Sequence, residues 1–567
     1  MGTMCSADKA LVLQSSKPET KVRDANPSCN ARRRPSSTLA DLCLNQIADS
    51  LAGDSSTALS LALPSELLAE VVHRHIKRKT LCLPILAALI QANPLVDRLH
   101  LAGCSWATSA WLSPVSAVSS NLVYLNLSGC YGVELLGTLA LSSLRVAIFH
   151  DCRGLGPTSF SLLSAAEDLE ILDLSGCSSV RNDCILGLHS CAHLRDLNLS
   201  QCTAITDNCL LYVPSSLRRL NLEQCSGISD RGVLIAATRL QSLTALTLSQ
   251  CSITNGALAM LAAHASQLEL LAISGCRAID MRGIHALASL THLRSFGASQ
   301  CPLVHGPHAA WQLLERLDLA NSACDDAGLA TIGRLPALTW IDLSQSRATV
   351  KALRALGQLT RLQHLKLTRT FMTDGVFCAI SHALINLEFV DVAHTAVTDA
   401  GTSQLKHLSR LKTLVLSTPG ITYHALPDLG TLARLESLDL FGASVADRGL
   451  EHLARLPRLR RLVLCGGCLT DRGVALLAES APALTDLNIS HNRGVHGAAA
   501  SSLATLVQLR TLNISNTGID AASLAHLFPL QRLETLLVYG VLLSSREIRS
   551  FTGRATLPFD VCFDCEH

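Results

Sequence analysis

The stretch Leu169-Glu-Ile-Leu-Asp-Leu-Ser-Gly-Cys177 reads L-x-x-L-x-L-x-x-C, and close copies of it recur along most of the chain. Leu172 and Leu174 are two residues apart, which is the spacing that places side chains on one face of a β-strand. Cys177 marks the point at which the strand turns away. A unit this short cannot bury its own apolar face, so each copy needs a neighbour on either side.

The copies form one long array. A typical connection between two strands is Ile228-Ser-Asp-Arg-Gly-Val-Leu-Ile-Ala236, in which a Thr/Ser-Asp step precedes an apolar run. Because Ser and Thr are favoured helix N-caps, each unit is predicted to contain a strand, a turn and a short helix. Nineteen motifs, with a period of about 25 residues, begin near residues 96, 122, 144, 169, 194, 217, 243, 268, 293, 314, 338, 362, 387, 411, 435, 459, 484, 509 and 533.

The last position of the motif is cysteine in nine consecutive copies and a small, mostly hydroxyl side chain in later ones. The cysteines are Cys104, Cys130, Cys152, Cys177, Cys202, Cys225, Cys251, Cys276 and Cys301. These units resemble the cysteine-containing leucine-rich repeats over residues 96–543. The resemblance implies an α/β fold, a right-handed horseshoe solenoid with a parallel sheet on its concave face.

The cysteines are predicted to be structural. One cysteine per repeat places them along a line, whereas a tetrahedral metal site needs ligands that converge. We therefore expect buried side chains that satisfy backbone groups at the turn, and no bound metal.

Composition excludes several classes of function. The 567-residue chain has a net charge of +2 and 16% charged residues, a balance that does not indicate nucleic acid as a partner. No apolar run is long enough to span a membrane, and no secretory signal is recognisable. The 22 cysteines then indicate a reducing compartment. We predict a cytoplasmic location, with the nucleus as the alternative.

Two further sequence patterns are weak. Met1-Gly-Thr-Met-Cys-Ser6 fits the pattern for N-myristoylation, although an ordinary chain start is favoured. The steps Cys465-Gly-Gly-Cys468 and Cys562-Phe-Asp-Cys565 lack a second ligand pair at a zinc-finger spacing. We find no phosphate loop, H-E-x-x-H or nucleophile elbow. The sequence therefore predicts neither a cofactor nor enzymatic activity.

The array divides the chain into four predicted segments. Residues 1–37 lack the apolar side chains needed for a core and are expected to form a disordered tail. Residues 38–94 are predicted to be a helical module, residues 95–543 the solenoid, and residues 544–567 a C-terminal cap or tail.

The helical module carries a recognisable short motif. Thr38-Leu-x-x-x-Cys-x-x-x-Ile47 resembles the BC box, the helix by which substrate receptors dock on Elongin C, and Leu63-Pro-Ser-Glu-Leu-Leu68 resembles the cullin-selecting box that follows it. Together the two elements resemble a VHL box. The resemblance implies adaptor contacts by Leu39, Cys43, Ile47, Leu63, Pro64 and Leu67.

A VHL box in front of leucine-rich repeats resembles the receptors of the Zyg-eleven and Zer-one type and plant receptors with the same front end. The resemblance implies the substrate-recognition subunit of a cullin–RING E3 ubiquitin ligase, with the client on the concave face. Two alternatives stay open. Leu63–His75 also resembles the first helix of an F-box, which would dock on Skp. The helices would instead only cap the array in a non-ligase scaffold or signalling protein.

The concave face is expected to hold the partner. On each strand, the positions on either side of the central leucine point into the concavity. Aromatic residues beside charges are typical of binding hot spots. Tyr124 is one predicted contact, and six more from three successive repeats are expected to be neighbours: Trp340, His364, Lys366, Phe389, Asp391 and His394.

Overall fold

The architecture is a single parallel sheet with one strand per repeat. The structure is a computed structural model that describes residues 63–135, 137–541 and 560–562. Each strand pairs in parallel with the next along the chain. Within these residues the strands, β1 to β20, are Arg98–His100, Tyr124–Asn126, Val146–Ile148, Ile171–Asp173, Asp196–Asn198, Arg219–Asn221, Ala245–Thr247, Leu270–Ala272, Ser295–Gly297, Arg316–Asp318, Trp340–Asp342, His364–Lys366, Phe389–Asp391, Thr413–Val415, Ser437–Asp439, Arg461–Val463, Asp486–Asn488, Thr511–Asn513, Thr535–Leu537 and Asp560–Cys562.

The strands confirm the predicted fold class. Each of the nineteen predicted strands begins two residues after the start of its motif. In β4 the central Leu172 is fully buried, whereas Ile171 and Asp173 are half-buried on the opposite face. The central residue therefore packs into the core, and the two flanking residues form the sheet surface that we call the concave face.

The chain between strands lies on the other side of the core. The α-helices, α1 to α14, are Ser65–Lys77, Leu83–Ala92, Pro157–Leu163, Asn182–Leu186, Asp230–Arg239, Asn255–His264, Met281–Ala286, Asp326–Ile332, Val350–Leu353, Asp374–Ala383, Leu426–Leu429, Asp471–Ser480, Gly497–Leu503 and Ala521–Leu524. The 3₁₀ helices are Ser109–Leu112, Pro114–Ala117, Ser119–Asn121, Gly187–Ser190, Asp207–Leu211, Leu287–Ser289, Arg354–Gln358, Asp399–His407, Tyr423–Ala425, Leu450–Arg455 and Ala525–Leu527.

The prediction of a helix in every unit is wrong for two repeats. The described residues between β2 and β3, and those between β9 and β10, contain no helix. In the second case the connection includes Pro302, Gly306 and Pro307, residue types that disfavour a helix interior. Near the end of this connection Trp311 is fully buried, packs against Phe296, and donates from its Nε1 to the Leu287 carbonyl at 3.2 Å.

The cysteines are buried and bond to backbone carbonyls, as predicted, and these bonds also join neighbouring repeats. Cys177 Sγ donates to the carbonyl of Phe149 in the preceding repeat at 3.0 Å, and Cys202 does the same to Leu174 at 3.1 Å. The same contact is made by Cys130, Cys152, Cys225, Cys251, Cys276 and Cys301. Burial raises the pKa of the Cys177 thiol to about 12, which makes it a poor nucleophile.

Hydroxyl side chains at the same position bond differently. Ser322 Oγ donates to Leu319 at 2.6 Å and Thr370 Oγ1 donates to Leu367 at 2.7 Å, in both cases within the same repeat. The shift from cysteine to hydroxyl therefore exchanges a bond between repeats for a bond within one.

A second ladder joins repeats at the helix starts. Asp374 accepts from both the backbone N–H and the hydroxyl of Thr398 in the next repeat, each at 2.7 Å. Gly401 follows closely, and a Cβ there would lie 2.6 Å from Asp374 Oδ1. The two-bond link recurs in Asp207–Ser229, Asp230–Thr254, Asp326–Thr349, Asp399–Thr422 and Asp447–Thr470. The predicted N-cap step is thus also a contact between repeats.

The first two helices close the N-terminal end of the core. Helix α1 buries Val71 and Val72, and α2 buries Leu86 and Leu89, all continuous with the core of the first repeats. Trp106 of the first repeat donates to the Leu81 carbonyl at 3.2 Å. Helices α1 and α2 therefore cap the array.

The sheet extends at its other end. Strand β20 pairs with β19 and lies in the segment that the sequence assigned to a C-terminal cap or tail. Residues 1–62, which include the predicted tail and the BC-box-like helix, lie outside the described residues.

Candidate binding site on the concave face

Four adjacent strands place rings and a guanidinium in one row. Arg316 of β10, Trp340 of β11, His364 of β12 and Phe389 of β13 are successive partners in the sheet register. The Arg316 guanidinium carbon lies 4.7 Å from the centre of the Trp340 ring. The His364 and Phe389 rings are stacked, with centres 6.0 Å apart and planes 21° apart.

A second row on the same strands is ionic. Asp318, Asp342, Lys366 and Asp391 are successive register partners. Lys366 Nζ lies 4.0 Å from Asp342 Oδ2, and 5.9 Å and 5.7 Å from the ring centres of Trp340 and Phe389. We call the two rows together the concave patch: Arg316, Asp318, Trp340, Asp342, His364, Lys366, Phe389 and Asp391.

The aspartates of the patch also have an architectural role. Oδ1 of Asp342 accepts from the backbone N–H of Ser344 at 2.9 Å, an Asx turn that ends the strand. Asp318 and Asp391 make the same bond. In other repeats asparagine takes this place, as Asn221 does with the N–H of Glu223 at 3.0 Å. The turn therefore needs Asp or Asn, and the negative charge is additional to it.

The patch perturbs the titration of its own members. Burial, together with repulsion from Asp342, raises the pKa of Asp318 to about 6. Burial also raises the pKa of Asp391, with a smaller contribution from Asp342. The pKa of His364 is lowered by burial and by the nearby Arg316. Arg316 and Lys366 thus do not offset the cost of burying these carboxylates.

The structure brings together most of the residues that the sequence selected. Trp340, His364, Lys366, Phe389 and Asp391 all belong to the concave patch. His394 is exposed in the turn after β13, with φ of 54°, and so borders the patch at the carboxyl edge of the sheet.

Tyr124 lies apart from them. It is on β2, near the N-terminal end of the array, where the Arg98 guanidinium carbon lies 5.0 Å from its ring centre.

Sequence reasoning missed three members of the patch and one exposed apolar residue in a neighbouring turn. The motif places Arg316, Asp318 and Asp342 at concave positions, and aligning the motifs in register shows that Arg316 adjoins Trp340 and that Asp342 adjoins both Asp318 and Lys366. The exposed apolar residue is Phe371. It follows the buried Thr370 in the turn after β12, and it is 63% exposed. A large apolar residue directly after the motif's last position is the signal that would have found it.

The predicted adaptor residues that are described lie at the start of α1. Leu67 is 40% exposed and Pro64 is exposed. Leu63 is partly buried, and its backbone N–H donates to Asn93 Oδ1 at 2.6 Å. Leu67 is therefore the apolar side chain that this helix leaves accessible. Leu39, Cys43 and Ile47 lie outside the described residues.

Two other kinds of feature were sought in the described part of the chain. There, no three His, Cys, Asp or Glu side chains are grouped so as to hold a metal ion. No helix among the same residues combines the length and the apolar character needed to cross a membrane.

Comparison with known proteins identifies the repeat. A family model described as "Leucine Rich repeat" matches residues 190–210, which include β5 and the cysteine that follows it. The fold is a leucine-rich-repeat solenoid. No curated protein sequence matches the chain.

Solved structures that match the chain come from several organisms. A leucine-rich-repeat protein of Leptospira interrogans is 17% identical, with a TM-score of 0.41, covering 80% of this chain and 98% of its own. The mouse RP105/MD-1 complex is 17% identical, with a TM-score of 0.44 and coverages of 82% and 89%. An internalin from Listeria monocytogenes is 18% identical, with a TM-score of 0.36 and coverages of 62% and 82%.

Proposed function

We propose that this solenoid binds a client protein on the concave patch and acts as the substrate receptor of a cullin–RING ubiquitin ligase. The concave patch is the observation that carries the proposal. Trp340 and Phe389 are half-buried rings flanked by Arg316 and Lys366, and the four residues come from four adjacent strands. Aromatic and arginine side chains grouped at the centre of a surface are typical of protein-binding hot spots.

The ligase half of the proposal depends on the N-terminal module. The segment Leu39–Ile47 resembles a BC box, and Leu67, in the box that follows, is exposed on α1. In this proposal these residues contact an Elongin C-like adaptor and a cullin. The chain positions the client in the cytoplasm or the nucleus, and ubiquitin transfer takes place on other subunits.

Capture of the full-length chain by tagged Elongin B/C tests the adaptor contact. We expect the wild type to be recovered and the Leu39→Ala/Cys43→Asp form to be lost. The matched control is Trp340→Ala/Phe389→Ala, which alters only the concave patch and should bind the adaptor as the wild type does. If the wild type and the Leu39→Ala/Cys43→Asp form are recovered equally poorly, the ligase half of the proposal is wrong.

A non-ligase scaffold is the second candidate, and one observation favours it. Helices α1 and α2 bury Val71, Val72, Leu86 and Leu89 against the first repeats, so capping already accounts for these four apolar side chains. Recovery of Skp in place of Elongin C would favour the F-box-like alternative. If neither Elongin C nor Skp is recovered, the non-ligase scaffold is the remaining candidate.

A further inference from the structure

The cations of the concave patch are already engaged within it. Arg316 lies over the Trp340 ring. Lys366 lies between the rings of Trp340 and Phe389 and beside Asp342. Contacts of this kind with ring faces and a carboxylate are favourable for a cation, most of all where water is partly excluded. Neither cation therefore needs an anionic ligand.

The carboxylates, by contrast, are in excess. Asp318, Asp342 and Asp391 oppose two cations, Arg316 and Lys366. Each aspartate uses Oδ1 for its Asx turn. Asp318 and Asp342 are direct neighbours in the register, and burial raises the pKa of Asp318. A cation brought by a ligand would stabilise this pair of carboxylates.

The two adjoining strands carry no charged residue at their concave positions. On β9 the concave positions are Ser295 and Gly297, and on β14 they are Thr413 and Val415. Four strands at the usual spacing of about 4.8 Å span about 14 Å, which is the length of about four extended residues. At the carboxyl edge of this span, Phe371 leaves a large apolar side chain exposed. The patch therefore offers a short acidic strip beside an apolar one.

We propose that the concave patch selects an extended segment of the client in which a lysine or arginine lies beside a large apolar residue. The cation would pair with Asp318 and Asp342, and the apolar residue would pack against Phe389. The inference deepens the proposed function, because it rests on the client binding at this face and names the chemistry recognised there.

Lys366 has a particular place in this scheme. Its ammonium group occupies the position between two rings and a carboxylate that the client's cation would also favour. It therefore opposes the client's charge. Replacing it by methionine keeps much of the side-chain volume and removes that repulsion, so Lys366→Met should bind a basic segment more tightly than the wild type does.

The test uses the purified full-length chain and a bead-displayed library of random peptides. Selected peptides are resynthesised with a fluorophore, and their Kd is measured by anisotropy. The first variant is Asp318→Asn/Asp342→Asn, which removes two charges but keeps the Asx turns, because Asn221 makes the same turn. The matched control is Asp173→Asn on β4, whose carboxylate accepts from the Ser175 N–H in the same turn.

We expect enrichment of peptides with a lysine or arginine next to a large apolar residue. Their affinity should fall about tenfold or more in Asp318→Asn/Asp342→Asn, rise in Lys366→Met, and stay within about twofold in Asp173→Asn. Higher salt should weaken binding to the wild type.

Several results would overturn the inference: no enrichment, enrichment of acidic or neutral peptides, or wild-type affinity in Asp318→Asn/Asp342→Asn. If the selected peptides are acidic and do not bind Trp340→Ala, the preference for a basic segment is refuted. Client binding at the concave patch would still be supported. The adaptor capture is a separate readout, so failure of the ligase half is distinguishable from failure of this inference.

Discussion

Cys177 shows how a single side chain links two repeats. Its thiol donates to the Phe149 carbonyl of the preceding repeat and is fully buried. In Cys177→Ala that carbonyl loses its donor and a small cavity forms. We expect the free energy of unfolding to fall by about 1–3 kcal/mol, measured by urea denaturation.

Ser346 provides the control, because it occupies the same motif position but its buried Oγ has no hydrogen-bond partner in the described structure. Ser346→Ala should change the free energy of unfolding by less than about 0.5 kcal/mol, or raise it. If both substitutions lower the free energy of unfolding by the same amount, the hydrogen bond between repeats is not the source of the effect.

Asp318 should give the solenoid a pH dependence of unusual sign. Its pKa is about 6 in the folded chain and 3.8 for an ordinary aspartate. A carboxyl group with a raised pKa holds its proton more tightly when folded, so its destabilising contribution is absent below about pH 4 and complete above about pH 6.

The variant Asp318→Asn removes that contribution and keeps the Asx turn. Its free energy of unfolding, relative to the wild type, should grow as the pH rises from about 4 to about 6 and then level off. Urea denaturation at several pH values measures the difference. If the difference in free energy of unfolding between the variant and the wild type does not vary with pH, the pKa of Asp318 is not raised in the folded chain.

The same residues mark the limit of sequence reasoning at this scale. The alternation of the motif correctly predicts that Asp173 and Asp391 face the concavity. It does not reveal that their carboxylates end the strand, because the Asx turn is a contact with a backbone N–H two residues away. Separating the architectural role from the charge required the neighbouring repeats, where asparagine makes the same bond.

At the scale of an element, the start of each helix is held by the repeat before it. Asp374 binds Thr398 through two hydrogen bonds. Asp374→Ala removes both, and we expect it to lower the free energy of unfolding by about 1–3 kcal/mol. Asp374→Asn should cost less, since Asn182 accepts from the Thr206 N–H and donates to its hydroxyl. If urea denaturation shows that Asp374→Ala and Asp374→Asn lose the same free energy of unfolding, the hydrogen bonds to Thr398 do not stabilise the fold.

The sequence predicted these elements only in part. The Thr/Ser-Asp step correctly indicated where helices begin. Its contact with the next repeat depends on stacking, which one unit cannot show. The connection between β9 and β10 was predicted to be helical, but Pro302 and Pro307 leave backbone positions without an N–H to donate.

At the scale of the whole molecule, periodicity was enough to locate nineteen strands. The two-residue step occurs nineteen times, so the position of each strand is supported by all the others. Strand β20 has no complete motif, and the sequence therefore assigned its residues to a cap or tail. The concave patch was predicted in part, because rings such as Trp340 are conspicuous in a chain with 4% aromatic residues. Its charge balance depends on the register of neighbouring strands, in which Asp318 and Asp342 lie side by side.

The most direct test of the account is whether client and adaptor are held by separate surfaces. Affinity capture of the full-length chain from cells, under proteasome inhibition, compares the wild type, Trp340→Ala/Phe389→Ala and a matched concave control, Ile171→Ala. The account predicts that Trp340→Ala/Phe389→Ala loses the wild type's client proteins while adaptor recovery is unchanged, and that Ile171→Ala retains both. An unchanged set of client proteins in Trp340→Ala/Phe389→Ala would contradict the account.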